Sequence, residues 1–357
     1  MTRVLAVRLD SDGDVLLTGP ALRALRHTAD GLDLLASPAG RAAGELLPGV
    51  DRVRVFDAPW SGYAPPPVDV PAVLALVAEL AAVGYDRAVV LTSFHQSPLP
   101  MALLLRLAGV PFVAATSVDY PGSLLDVRHA RPEGLHEAEA ALDLARAAGG
   151  RLPDGDDGRL AVRDPGPVPE DVAAELPAEG FVVLHPGASV PARAPSPEHA
   201  RTLALALAEE GRTVVVTGGP AERALARTVA AGVPGAVDLA GRTSLAGLAA
   251  VLARADAVVV GNTGPAHLAA AVGTPVVSLF SPVVPADRWA PYGVPHVVLG
   301  DAAAACAGTR ARDCPVPGHP CLTGVTPGQV VAAVDALSLA VQPLAAPPAP
   351  PSEEATA

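Results

Sequence analysis

An α/β fold with two Rossmann-like domains in tandem is what this sequence predicts, on three observations. Short apolar runs ending in glycine-bearing turns alternate with helical apolar spacing along most of the chain. The pattern is interrupted around Gly149 to Pro169, where Gly, Asp, Pro and Arg take over as in an interdomain linker. The length, 357 residues, suits two domains that each bury a core.

In chain order, strands are expected at Arg3–Arg8, Leu32–Ala36, Arg52–Phe56, Arg87–Thr92 and Phe112–Thr116, with helices over Pro20–His27, Val70–Val83 and Pro98–Leu107. A second series follows the linker. Its strands are Phe181–His185, Thr213–Thr217, Ala236–Leu239, Ala257–Val260 and Pro275–Phe280. Its helices are Pro197–Glu210, Ala221–Ala230, Ser244–Arg254 and Ala266–Val272. The expected division is a first Rossmann-like domain over 1–160 and a second over 161–341. The last helix, Pro327–Val341, is a candidate to pack back on the first domain. The Pro/Ala-rich tail over 342–357 lacks the apolar content to bury a core and is expected to be disordered.

Composition narrows the function classes. A net charge of −12 argues against nucleic acid as a partner. Half the residues are hydrophobic but only 3% are aromatic, and no run approaches the roughly 18 uncharged apolar residues of a membrane span. Met1-Thr2-Arg3-Val4-Leu5 enters a strand without a secretory pattern, so a cytoplasmic location is expected. All 25 basic residues are arginine, so any fixed cation at an anion site has a planar fork instead of a point charge. Three cysteines do not make a disulfide framework.

Open α/β sheets bind ligands beyond the carboxyl ends of their strands. In the second series those ends carry His185-Pro186-Gly187-Ala188-Ser189, Thr217-Gly218-Gly219-Pro220, Leu239-Ala240-Gly241-Arg242-Thr243-Ser244 and Gly261-Asn262-Thr263-Gly264-Pro265-Ala266-His267. The last of these joins an apolar strand to an alanine-rich helix. Amides at a helix N-terminus lack intrahelical partners and share the positive end of the dipole, so the turn suits a phosphate. Small residues admit a ligand to the backbone, Thr263 brings a hydroxyl and His267 an anion donor. The competing reading is an ordinary strand-to-helix turn capped by Thr263. None of the loops has dinucleotide or Walker A spacing. The first strand ends in Leu9-Asp10-Ser11-Asp12-Gly13-Asp14. Asp10 and Asp12 read as turn formers. Asp14 is either a helix cap or a carboxylate placed to take a proton from a hydroxyl.

Taken together, Arg8 to Arg23, the His185–Ser189 loop, Thr217-Gly218-Gly219-Pro220-Ala221-Glu222, Leu239–Leu245 and the Gly261 turn continuing to Pro275 resemble the signature segments of glycosyltransferase family 9, the ADP-heptose–lipopolysaccharide heptosyltransferases and their relatives. The resemblance runs from the N-terminus to about Val341. It implies a GT-B fold and an inverting, metal-independent transfer from a nucleotide-sugar that is a substrate, with no cofactor. Asp14 then falls at the general base. Ser189, Arg193, Asn262, Thr263, Gly264 and His267 fall around the donor diphosphate and sugar, and Glu222, Leu239 and Gly241 around the nucleoside. His95, Gln96 and Arg128 are polar candidates for the acceptor pocket. The implied partners are an ADP-heptose-like donor and a glycan, glycolipid or natural-product acceptor of the cell-envelope kind, with peripheral membrane contact an associated expectation.

Some positions depart from that pattern. Asn262 stands where many members carry aspartate, Arg193 where many carry lysine, and Pro195 where an aromatic is frequent. Cys306, Cys314 and Cys321, with His319, resemble a cysteine-rich segment in which Thr309 replaces a further cysteine. Their spacings of eight and seven do not match zinc-knuckle pairs, so buried thiols without metal are expected. Two alternatives stand beside the transferase: a nucleotide-sugar epimerase of the same fold, and a catalytically weakened sugar-nucleotide-binding protein, which Asn262 keeps open.

Overall fold

The computed structural model describes residues 1–341 apart from Tyr63, Phe94 and Glu179, and gives Ala340 and Val341 by backbone alone. The tail expected over 342–357 lies outside the described residues.

The first sheet contains β1 (Arg3–Arg8), β2 (Gly31–Ala36), β3 (Arg52–Val55), β4 (Arg87–Val90), β5 (Phe112–Thr116) and β6 (Val127–His129). All are parallel, in the order β3-β2-β1-β4-β5-β6. Val4 to Val7 of central β1 are wholly buried because helices cover both faces, which is why the strand reads as an unbroken apolar run. The second sheet contains β7 (Phe181–His185), β8 (Thr213–Val216), β9 (Val237–Asp238), β10 (Ala257–Gly261), β11 (Val276–Leu279) and β12 (His296–Leu299). Its order, β12-β11-β10-β7-β8-β9, repeats the first topology. In each sheet the chain reverses direction across the sheet beside its first strand, between β1 and β4 and between β7 and β10. A crevice opens at that point.

Local chemistry sets the helix ends. Asp69 accepts from the Ala72 N–H (3.1 Å) to start Val70–Val83, and Gly84 closes it at φ 69°. Ser196 and Ser244 cap Pro197–Glu209 and Leu245–Leu252 in the same way. Among the elements that go beyond the sequence reading are the helices Asp12–Leu17, Arg41–Leu46 and Glu137–Ala147, the one-turn helices Glu170–Ala173, Ala286–Trp289 and Pro320–Thr323, and the strands β6 and β12. The last helix does not turn back on the first domain. Val330, Ala333, Val334 and Leu337 bury it in the core of the second sheet, beside Leu203 and Leu207 of Pro197–Glu209.

Residues 149–169 carry no strand or helix. They lie along the first unit, tied by Arg23 to Asp156 (2.6 Å) and by Arg163 Nε donating to Leu47 O (3.0 Å). Where the two units meet, Leu17, Ala138, Leu160, Ala270 and Ala271 form an apolar seam with Trp289, Tyr292 and Val294. His136 stitches it: Nε2 donates to Ala290 O (2.9 Å), the ring stacks on Tyr292 (4.7 Å between centroids), and Nδ1 accepts from the Ala138 N–H.

At the mouth of the seam the helices Asp12–Leu17 and Gly264–Ala271 touch glycine to glycine. A Cβ on Gly13 would stand 3.0 Å from Gly264 Cα and 3.4 Å from the His267 ring, whereas a Cβ on Gly264 would meet nothing nearer than 3.5 Å. Gly13→Ala is therefore expected to lower stability in urea by about 1–3 kcal/mol through overpacking, and Gly264→Ala to be neutral or stabilising. Equal midpoints for the two variants would remove the contact from the argument.

Candidate active site

β1 ends in Arg8, a charged residue only 3% exposed at the close of an apolar strand. Its guanidinium gathers the loops around it. Nε pairs with Asp10 (2.8 Å), Nη2 pairs with Asp14 Oδ1 (3.3 Å), and Nη2 also donates to Ser93 Oγ (2.8 Å) beyond β4. Burial works against the Arg8 charge, but Asp10 and Asp14 outweigh it and hold the group above its ordinary value. Ser11 Oγ donates to the other oxygen of Asp14 (2.9 Å). Asp14 is thus oriented from both sides while its side chain stays 27% exposed at the crevice. Next to Arg8 lies a hollow lined by Ser93, Thr116, Arg131 and Glu137.

On the facing side, β10 runs into the Gly261 turn beside the end of β7, with Val260 in register with His185. Gly261 is needed there because a Cβ would fall 2.3 Å from Arg193 O. Thr263 occupies the N-cap position of Gly264–Ala271, yet its side chain caps nothing. Its N–H is spent on Gly261 O (2.8 Å) and Pro265 has none, so the Gly264 N–H and the Thr263 hydroxyl are among the donors left to this turn. His267 is 5% exposed, and its Nδ1 is buried without a partner. Burial, with the charges of His136 and Arg193 adding to it, depresses its pKa to about 4. At neutral pH it is a hydrogen-bond donor without charge. Arg193 is half-buried, its Nε also lacks a partner, and among the described residues it makes no ion pair.

Asp14, Gly264 and His267 are thus brought together across the crevice, with the Arg193 charge felt at His267. Ser189 is exposed at the end of β7. Glu222 lies over Gly187, where a Cβ would collide with its carboxylate; one of its oxygens accepts from the Gly219 N–H (2.6 Å).

Other sequence candidates are placed differently. Asn262 is 3% exposed and faces away from the crevice: its Nδ2 donates to Ser281 O (3.1 Å) and its Oδ1 accepts from Ser281 N–H (3.2 Å). It is a strut between two loops. Leu239 is fully buried in the core, and its N–H and carbonyl are both bonded to backbone. Gly241 is covered by the Arg223 guanidinium. Gln96 donates to Asp10 (2.5 Å) and accepts from the Ser93 N–H, which uses both ends of its amide. Arg128 is spent on the carbonyls of Ser117 and Val118. Of the acceptor candidates, His95 and Arg128 are both exposed. Burial lowers the pKa of His95, and it lies within the fields of Arg310, Asp14 and Arg8. Arg8 is the residue that sequence reasoning passed over. The signal was present in a lone arginine ending an apolar strand just before three acids.

Two facing sheets of this topology, with a carboxylate on one loop and an anion-ready helix N-terminus opposite, define the GT-B class. Residues 73–319 match glycosyltransferase family 9 (heptosyltransferase), and the chain belongs to that family. It is 35% identical over 212 residues to lipopolysaccharide heptosyltransferase 1 of Pseudomonas aeruginosa, an alignment spanning 57% of this chain and 58% of that relative's length. The fold is similar to that of E. coli ADP-heptose lps heptosyltransferase II (TM-score 0.72, 23% identity, 95% of this chain and 99% of the other). It is also similar to that of the E. coli heptosyltransferase WaaC with ADP-2-deoxy-2-fluoro heptose (TM-score 0.67, 24% identity, 94% and 99%).

Two outcomes follow from the buried polar groups. Asn262→Asp keeps the acceptor for Ser281 N–H but sets a carboxylate against Ser281 O, so it is expected to cost about 1–3 kcal/mol in urea titration. An unchanged midpoint would refute the strut. His267 ionises near 4 in the fold against 6.5 in the open chain, and His136 and His185 are also depressed by burial. Protonation therefore favours unfolding. The stability these groups contribute is complete above about pH 6.5 and is lost as pH falls from there toward 4. Urea midpoints at about pH 7 and about pH 5 should differ accordingly, and His267→Gln should flatten the difference.

Proposed function

We propose that this chain is an inverting, metal-independent glycosyltransferase that moves a heptose or related sugar from an ADP-sugar to a hydroxyl of a glycan, glycolipid or natural product. The carrying observation is the apposition of Asp14 with the Gly264–His267 turn across the glycine contact. In this mechanism Asp14 accepts the proton of the acceptor hydroxyl as that oxygen bonds to the anomeric carbon. The bond from that carbon to the diphosphate oxygen breaks, and ADP leaves with the electron pair. Base and leaving group lie on opposite walls, which suits attack from the face opposite departure and hence inversion.

The charge that develops on the diphosphate falls to the Gly264 N–H, the Thr263 hydroxyl, Arg193 and neutral His267. All are held in place before the reaction, so little reorganisation is needed at the transition state. Glu222 keeps one oxygen for the ribose. The ADP assignment draws on WaaC, solved with a fluorinated ADP-heptose. An acceptor carried on lipid would bring the protein to a membrane surface, which the exposed apolar side chains Val70, Leu74, Leu103 and Leu107 of the first unit suit. A weakened binding protein loses its main support once the amide of Asn262 is accounted for by Ser281.

The test is a donor screen by calorimetry followed by transfer assays on Asp14→Asn. The variant is expected to bind ADP within about 3-fold of wild type and to lose about 10²–10⁴-fold in transfer rate. Transfer at the wild-type rate would remove Asp14 as the base.

A further inference from the structure

The segment between β12 and the last helix belongs to no part of the site described so far. Its interior is a core of thiols: Cys306 and Cys321 are buried among the apolar residues of the second unit, and Cys314 Sγ donates to Val316 O (3.3 Å). Burial, with Cys306 close by, pushes the Cys321 thiol up to about 11, so it stays protonated and serves packing. From this base the backbone is tied to both donor-side loops. Gly308 N–H donates to Pro282 O (2.9 Å) and Arg310 N–H to Val283 O (2.8 Å), joining the stretch whose Ser281 is clamped by Asn262. Ala192 N–H donates to Arg312 O (2.9 Å), joining the loop that carries Arg193.

Between these ties Arg310 is held at φ 58°, a left-handed conformation unfavourable to a residue with a Cβ. The side chain so presented is exposed, and its charge reaches His95 on the opposite wall, where the charges of Asp14 and Arg8 are also felt. The strain therefore falls on a cation whose field is felt across the crevice. The donor site has need of one. A departing ADP carries about three negative charges, against which stand roughly half a charge from the helix N-terminus, one from Arg193 and none from His267.

We propose that Arg310 is a further donor-binding residue, placed by the thiol-cored loop so that its guanidinium bears on the diphosphate of the bound sugar nucleotide alongside Arg193. The assignment rests on the nucleotide-sugar reading above. It gives the cysteine segment a task, which is to hold a strained arginine at the open edge of the phosphate site.

The experiment is calorimetric titration of the full chain with ADP and, separately, with adenosine, for wild type, Arg310→Ala, Arg310→Lys and Arg310→Gly. Arg310→Ala and Arg310→Gly are expected to weaken ADP by about 10-fold or more and to leave adenosine unchanged, with Arg310→Lys between. Arg310→Gly relieves the left-handed backbone, so its unliganded melting temperature should be no lower than wild type. A purely structural role would instead lower the melting temperature and weaken both ligands together. Unchanged ADP affinity in Arg310→Ala and Arg310→Gly, or equal losses for ADP and adenosine, overturns the assignment. Failure of wild type to bind either ADP or adenosine overturns the nucleotide-sugar reading, and this inference with it.

Discussion

The contact of Gly13 with Gly264 is the constraint to which the rest of the site answers. Two sheets built from separate stretches of chain meet there with no side chain between their backbones. The residue after Gly13 carries the carboxylate, and the residue before Gly264 begins the helix that faces it. A Cβ on Gly13 would stand 3.0 Å from Gly264 Cα, so the two backbones, and Asp14 with them, must part by a few tenths of an ångström. Small displacements of this kind are costly where two reacting groups must be held within bonding reach. The apolar seam of Leu17, Ala138, Leu160 and Ala270 and the His136 bridge to Ala290 act on the same geometry from behind, keeping the two loops in contact.

A second principle is the way a chain without lysine distributes charge. Arg8 is buried with its acids and fixes loop positions on the acceptor side, so its charge is largely spent inside the first unit. Removing it would leave Asp10 buried and unpaired, a change that typically costs about 3–5 kcal/mol. Arg193 and Arg310 stand on the other wall. In the proposed mechanism, separation of a hydrogen-bonded carboxylate from these cations would let one wall accept a proton while the other accepts an oxyanion. A planar guanidinium can meet two phosphate oxygens at once, which suits a diphosphate better than a point charge would.

Most of the fold was legible because parallel strands covered on both faces must be apolar along their length, and the interiors of β1, β7 and β10 are. Glu137–Ala147 was missed for the opposite reason. Its starting cap is a histidine, and its sequence mixes Glu, Asp and Arg with alanine, so its apolar stripe is faint. β12 is half exposed at an edge and β6 is three residues long, which left little pattern to read. At the site, the loops were visible as glycines at strand ends, but the direction of each side chain was not. Asn262 and Ser281 are nineteen positions apart, and their mutual use becomes apparent only when β10 and β11 lie side by side. Gln96 and Asp10 are farther apart still. Local sequence reports which polar groups are available. Which are already satisfied depends on long-range pairing, and that distinction separates struts such as Asn262 and Gln96 from groups such as Asp14, Thr263 and Arg193 that retain capacity for a ligand.

The chemistry of His267 follows from the same glycine contact. Its ring lies against the backbone of Gly13, which shuts water out and keeps the imidazole neutral. If the two units moved apart, the ring would be hydrated and its affinity for protons would rise toward that of an ordinary histidine. By linkage, protonation must then favour the separated arrangement, and closure must favour the neutral donor. The residue expected to donate to the departing diphosphate is therefore in its uncharged form when Asp14 and Gly264 are in contact. Closure sets the geometry of the two walls and the protonation of one of them in a single step, with the positive charge for the leaving group left to arginines that do not titrate.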